Sequence, residues 1–401
     1  MKRQVFVTGL GIVSGIGISA EETLFSLLSG KSGIGALKYL QTNHKDIPCS
    51  EVQLSNTQMQ TLLSIPDNVP TNRSSLMGIM AVKNALADAN MIPDKAMRIG
   101  LISGTTVGGM DKSEEYYKDF LENDSHNEYI LTHDCGASTE IIADYFDGFS
   151  YVSTISTACS SAANAIALGA NLIKEGKLDC AVVGGTECLT KFHLNGFKSL
   201  MILDKAPCRP FDAMREGLNL GEGAGYIVLE SEEFVKSRNS RVLCSLSGYG
   251  NACDAFHQTA SSADGKGAAL AMQDALDMSG LLASDIDYIN AHGTGTINND
   301  ESEGAAIMKV FGKTVPPVSS TKAFTGHTTS ASGGVEAVIS ILALREGFLP
   351  PNLNFKNQIE KLSFTPVTDL RRNIKIENVM SNSFGFGGNN SSLIFSLNYS
   401  K

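Results

Sequence analysis

Apolar and polar positions along the chain follow two periods, one of strands and one of helices. Val5–Thr8 is a short run that suits a central buried strand. Glu21–Leu28 is amphipathic at helical spacing. Ser74–Ala89 predicts a helix with Met77, Ile79, Met80, Val82 and Leu86 on its apolar side. Between them, Gln41 to Asn72 has no strong period and holds Pro48, Pro66 and Pro70, which predicts an irregular, mostly exposed stretch. Tyr151–Ile155 is β-branched or aromatic and predicts a buried strand. From Ser160 to about Glu175 the pattern becomes Ala, Ile and Leu at helical spacing.

Two pairs of segments repeat this plan. Arg98-Ile-Gly-Leu-Ile-Ser-Gly-Thr-Thr-Val-Gly-Gly, a strand ending in a Gly/Thr turn, is followed by Asp111, Glu114 and Glu115. Asp287-Tyr-Ile-Asn-Ala-His-Gly-Thr-Gly-Thr is followed by Asp300, Glu301 and Glu303. The strand and helix around Cys159 have a counterpart in Val318-Ser-Ser-Thr-Lys322-Ala-Phe-Thr-Gly-His327 and the small-residue helix after it. Val5–Thr8 and Arg241–Leu246 each open one series. A period near 190 residues in βαβ-like units implies a duplicated α/β half. Two parallel-sheet halves are expected, 1–235 and 236–401, packed into one layered unit.

Composition narrows the class. Of 401 residues, 42% are apolar and 18% charged, as in a soluble enzyme, and the net charge of −10 argues against direct nucleic-acid binding. Eight cysteines show no metal-ligand or disulfide-framework spacing, which favours a reducing cytoplasm and no structural metal. The basic start at Met1 resembles a leader, but Gly9, Gly11, Gly15 and Gly17 break its apolar run. No run reaches the roughly 18 apolar residues of a membrane span. Gly9-Leu-Gly11-Ile-Val-Ser-Gly15 after a strand is a weak dinucleotide signal, since the G-x-G-x-x-G spacing is not met. A nicotinamide oxidoreductase rests on that loop alone.

Candidate chemistry sits at the turns. Cys159 is placed on the first turn of a helix, where unpaired N–H groups and the helix dipole favour thiolate and can hold an oxyanion. A small buried apolar cysteine fits the same stretch equally well. His292 follows a predicted strand, and His327 with Lys322 precedes a Ser/Ala/Gly-rich helix. Such histidines act as hydrogen-bond donors or acid–base groups, or are structural. Ser381-Asn-Ser-Phe-Gly385-Phe386-Gly387-Gly-Asn-Asn390 supplies unhindered backbone N–H groups suited to an oxyanion, or an ordinary hairpin turn.

These motifs, with Thr157-Ala-Cys-Ser-Ser, Arg209-Pro-Phe-Asp and Gly221-Glu-Gly-Ala-Gly, resemble the elongating β-ketoacyl-acyl carrier protein synthases across essentially the whole chain. The resemblance implies a thiolase-like duplicated αβαβα fold, a homodimer, no bound organic cofactor and acyl carrier protein as partner. Cys159 would carry the acyl chain, with the N–H groups of Cys159 and Phe386 as oxyanion hole. Gly385 and Gly387 would flank Phe386, which would also gate the pocket. His292 and His327 would stabilise the enolate formed when malonyl-carrier protein loses carbon dioxide, and loss of His327 would weigh on that step more than on acyl transfer. Lys322 and Glu336 would poise the network, and Thr294 and Thr296 would meet the phosphopantetheine arm.

Variants of the family sharpen the expectation. Thiolases use a second cysteine near the C-terminus, and none follows Cys253 here. Initiating synthases carry Asn in place of His327. A chain-length-factor partner would have lost the nucleophile, and Cys159 is present; a non-catalytic scaffolding subunit stays open, and an acyl adduct on Cys159 decides against it. The sequence departs from the family at residues 40–72, at Gly217-Leu218-Asn219 and at the closing Asn389-Asn390. These departures suit a specialised polyketide or aryl-polyene ketosynthase as the second reading.

Overall fold

Two antiparallel strands at the centre join two sets of five. The structure, a computed structural model, describes residues 3–397. Met1 and Lys2, the basic start weighed above as a leader, lie outside the described residues. The main strands are Val5–Ser14 (β1), Ile99–Gly104 (β2), Tyr151–Ile155 (β3), Cys180–Glu187 (β4) and Gly223–Ser231 (β5). They continue with Cys244–Cys253 (β6), Tyr288–Asn290 (β7), Val318–Ser319 (β8), Asn378–Gly385 (β9) and Asn389–Ser396 (β10).

In space their order is β8-β7-β9-β10-β6-β1-β5-β4-β2-β3. β1 and β6 meet only at Phe6–Ser245 and Val7–Cys244. Outward from that seam each set runs in the same order: first, fifth, fourth, second, third strand. The sets are mixed, not wholly parallel as expected from the βαβ-like pattern. β4, β2 and β3 are parallel, as are β9, β7 and β8, while β5 and β10 run against them.

Five helices complete the layers: Arg73–Asp88 (α1), Ser161–Lys174 (α2), Lys266–Ser279 (α3), Ile297–Phe311 (α4) and Ser332–Glu346 (α5). α1 lies on β1, β5 and β4, and α3 on β6 and β10, as outer layers. α2 and α5 pack on each other and on strands of both sets, forming the middle layer. This makes a thiolase-like α/β fold. Every residue of α5 from Ser332 to Leu344 is buried. Gly333 and Gly334 each weaken a helix by about 1 kcal/mol. Each fully buried Val, Leu or Ile returns roughly 1.5–3 kcal/mol, so tertiary burial decides that this segment is helical.

The glycines of Gly9–Gly15 do not form a phosphate-binding loop. All ten residues of β1 are buried strand, paired with β5 from Val5 to Ser14. Glycine is there for close approach: a Cβ on Gly11 would lie 1.9 Å from the backbone oxygen of Ala81 in α1. The stretch from Gln41 to Asn72 also differs from expectation. It holds the helix Asn56–Leu63, with Met59 and Leu63 buried, and the buried Glu51, whose carboxylate accepts the N–H groups of Lys38, Tyr39 and Leu40. Short elements interrupted by proline leave no readable period.

Gly11→Ala is expected to destabilise the protein by roughly 1–3 kcal/mol, because backbone must move to admit the methyl group. Denaturant unfolding of the two proteins side by side measures it; an unchanged midpoint would show that the sheet–helix contact is not tight.

Candidate active site

The chain turns out of β3 at Ser156 and enters α2 at Ser161. Ala158, a non-glycine residue, takes φ +52° to make this turn, a strained elbow of the kind that presents a nucleophile. Cys159 therefore sits two residues before α2, and not on its first turn. The elbow is closed by Ser161 Oγ, which donates to Ala158 O at 2.6 Å and accepts Thr157 N–H at 2.9 Å.

The other groups arrive from the C-terminal ends of neighbouring strands, where α/β sheets gather ligands. His292 follows β7, Lys322 and His327 follow β8, and Phe386 follows β9. His327 Nε2 lies 3.2 Å from Cys159 Sγ, and the His292 and His327 rings are edge to face at 5.2 Å. Sγ and one nitrogen of each imidazole all fall within 4.8 Å of one another. Among the described residues this is the one cluster with the composition of a metal site, but the Lys322 amine beside it opposes a dication.

Lys322 Nζ contacts His292 Nδ1 at 3.2 Å and donates to Glu336 Oε1, both buried. An ammonium has only donors, so His292 Nδ1 accepts and its proton sits on Nε2, facing the cavity. His327 is held differently: Nδ1 meets Ser332 Oγ at 3.0 Å, and a hydroxyl can donate or accept. One imidazole is thus locked in a tautomer and the other can exchange. Burial, then the Lys322 charge, holds both imidazoles well below the usual histidine value.

Burial also pushes the Cys159 thiol up to about 11, with the Phe386 N–H and the Lys322 charge pulling the other way. This corrects the expectation of a resting thiolate: loss of water outweighs the helix terminus. The resting pair is a neutral thiol and a neutral imidazole. Burial drives Glu336 up to about 7, opposed by Lys322.

The glycines of the closing turn divide their work. A Cβ on Gly385 would stand 3.0 Å from Thr157 O and 3.2 Å from Cys159 N, tight contacts that glycine avoids where the hairpin reaches the elbow. Phe386 N–H faces the sulfur. Gly387, at φ +80°, donates its N–H to Gln258 O at 2.7 Å and so serves the turn, not an oxyanion. Asn389, one of the departures from the family pattern, ties the hairpin to the elbow: its Oδ1 accepts Ser160 Oγ–H at 2.7 Å and Asn164 Nδ2–H at 2.8 Å. Asn219, another departure, accepts His327 N–H on its backbone oxygen at 2.7 Å.

A cavity of about 340 Å³ opens onto Cys159, His292 and His327. Thr294 and Thr296 line it, 2.9 Å apart through their hydroxyls, and Phe386 forms part of the wall, stacked on Phe197 at 5.7 Å. Two supporting carboxylates escaped sequence reasoning as more than an acidic helix face. Glu303 of α4 accepts the N–H groups of His292 and Gly293 at 2.8 and 2.7 Å, fixing the turn that carries His292. Asp300 accepts Phe211 N–H at 2.7 Å and Gly295 N–H at 3.2 Å. Their spacing from the His-Gly-Thr turn was the available signal.

A nucleophile elbow, two imidazoles and a backbone amide on a duplicated α/β frame define a condensing enzyme of thiolase-like fold. Residues 2–234 match the β-ketoacyl synthase N-terminal domain and residues 243–356 the C-terminal domain; the chain belongs to the β-ketoacyl synthase family, whose members transfer acyl groups. It is 32% identical to the 3-oxoacyl-[acyl-carrier-protein] synthase 2 of Vibrio cholerae, over 98% of this chain and 99% of the relative. Among solved structures it resembles the ishigamide ketosynthase/chain length factor, with TM-score 0.92, 29% identity and full coverage of both chains. It also resembles the ketosynthase ApeO, solved with its chain length factor ApeC from Xenorhabdus doucetiae, with TM-score 0.84, 30% identity and 99% and 98% coverage. Among the described residues no helix is long and apolar enough to cross a membrane.

With its thiol raised to about 11, Cys159 of the free enzyme should react with iodoacetamide at a rate that climbs about tenfold per pH unit from 7 to 10. A plateau near pH 7 would mean that the resting sulfur is a thiolate after all.

Proposed function

We propose that the protein is an elongating β-ketoacyl-acyl carrier protein synthase that lengthens an acyl chain by decarboxylative condensation with malonyl-carrier protein in fatty-acid synthesis. The observation that carries this reading is the contact of His327 Nε2 with Cys159 Sγ, beside a second imidazole whose tautomer is set by Lys322.

In the first half-reaction the sulfur bonds the thioester carbonyl of the acyl-carrier protein while the thiol proton passes to His327 Nε2. The N–H groups of Cys159 and Phe386 hold the oxyanion. Collapse breaks the carbon–sulfur bond to the carrier, whose thiol takes the proton back. In the second, His292 and His327 both donate from Nε2 to the malonyl thioester oxygen. Carbon dioxide leaves and the resulting enolate carbon attacks the acyl-Cys159 carbonyl. The bond to Cys159 breaks, and its sulfur takes up one proton from solvent. His327 must accept in one half and donate in the other, which the Ser332 hydroxyl permits. Glu336 poises Lys322, and Thr294 and Thr296 receive the phosphopantetheine arm.

We place the enzyme in the cytoplasm as a homodimer of chains with halves 1–235 and 236–401, and assign it no organic cofactor. In support of the dimer, β3 ends the sheet with Tyr151 and Val152 exposed, an unpaired edge of the kind a second copy covers. A second reading, a ketosynthase of a polyketide or aryl-polyene pathway, is favoured by the likeness to two ketosynthases that work with chain length factors. Rates measured across a series of acyl-carrier proteins separate the two: preference for saturated chains supports the first, and preference for unsaturated or keto chains the second.

Cys159→Ala is expected to show no acyl adduct by intact mass and no condensation. His292→Ala should keep Cys159 acylation within about tenfold while slowing malonyl decarboxylation about 100-fold or more, because its donor is needed only for the enolate. His327, which touches the sulfur, should slow both when removed, where the resemblance alone put the loss mainly on decarboxylation. An acylated Cys159→Ala protein, or equal losses in both steps of His292→Ala, would defeat these assignments.

A further inference from the structure

One histidine near the site has no part in the chemistry above. His193, buried, sits on the helix Lys191–Ser199 and is absent from the cavity wall. Its Nε2 lies 3.7 Å from Oε1 of Glu187, a fully buried carboxylate at the end of β4. That distance is too long for a hydrogen bond. Proton bookkeeping explains it. The ring also meets the backbone of Cys188, and burial keeps it neutral against the pull of Glu187. A neutral imidazole has one N–H for two acceptors, so one contact stays open.

Glu187 is an anchor for several elements. It accepts Thr105 Oγ1–H at 2.6 Å, Thr106 N–H at 3.0 Å and Thr329 Oγ1–H at 3.4 Å. Thr329 lies two residues beyond His327 and is itself at φ +46°. On the other side, Phe197 is four residues from His193 on the same helix face, with the rings edge-on at 6.2 Å. Phe197 stacks on Phe386, whose N–H faces the Cys159 sulfur. A continuous set of contacts therefore runs from Glu187 through His193, Phe197 and Phe386 to the nucleophile.

We infer that His193 is a positioning residue for acyl transfer: it seats the helix 191–199 against Glu187 and holds Phe197 on Phe386, so that Phe386 keeps its N–H at Cys159. The inference rests on the reading of Cys159 as the acylated group. Decarboxylation relies on His292 and His327; among the described residues no ring contact joins Phe197 or Phe386 to either, and His193 reaches His327 only as a charge, which a neutral ring lacks. Loss of His193 should thus fall on one half-reaction.

The test follows Cys159 acylation by acyl-carrier protein, by intact mass, and separately the decarboxylation of malonyl-carrier protein. His193→Phe keeps a ring and loses the polar contacts; acylation should slow about tenfold or more with decarboxylation within about threefold. His193→Gln, which restores a polar side chain beside Glu187 and a donor for the Cys188 backbone, should recover most of the rate. Phe197→Leu breaks the same link, although it also changes the cavity wall, and should give the same split; His193→Leu decides the matter if His193→Phe does not fold. Wild-type acylation rates in both ring variants, equal loss in both half-reactions, or no recovery with Gln would overturn the role of His193. A wild-type enzyme that never acylates Cys159 would instead overturn the reading beneath it.

Discussion

Removing water from a thiol, two imidazoles, an ammonium and a carboxylate within one small volume is the constraint on which the site depends. Each group must then find its partner among the others, since an isolated charge there would cost several kcal/mol. Glu336 answers Lys322, Lys322 answers Nδ1 of His292, and Ser332 answers Nδ1 of His327. The same dryness keeps both rings neutral. Neutral rings with protons on Nε2 are donors that favour a developing oxyanion without already carrying a counter-charge. Stability and chemistry here have one origin.

The frame supplies the geometry by bringing strand ends to one place. β3, β7, β8 and β9 come from both sets of strands, and their C-terminal ends deliver the nucleophile, His292, the Lys322–His327 segment and Phe386. The hairpin of β9 and β10 crosses to the other set through Asn389 and through the bare backbone of Gly385. α2 and α5 can lie side by side in the middle layer because their contact faces are small. Neither set of strands contains a complete site.

Much of this was legible in the chain. The Thr-Ala-Cys-Ser-Ser, His-Gly-Thr and Ser-Ser-Thr-Lys turns are local, and local patterns name the residues that meet: Cys159, His292, Lys322 and His327. What the pattern could not carry was environment. Cys159 looked like a thiolate because a helix terminus is visible in sequence, whereas the degree of burial that outweighs it is tertiary. Gly9 and Gly11 looked like a loop because the helix residues against them, Ala81 and Ala85, lie far along the chain. Gln41–Asn72 hid a helix between prolines. Glu187 and His193 gave no signal at all: nothing in Thr-Glu-Cys-Leu-Thr-Lys-Phe-His says that the two side chains face each other in the interior.

The protonated resting state of the sulfur reaches beyond catalysis. Peroxides oxidise thiolates far faster than thiols, and at a value near 11 only about one Cys159 in ten thousand is ionised at neutral pH. The residue that turnover cannot spare is thus chemically quiet while it waits, its reactivity created only when an acyl donor arrives. Cys253, on β6 beside the closing turn, is by contrast exposed to solvent.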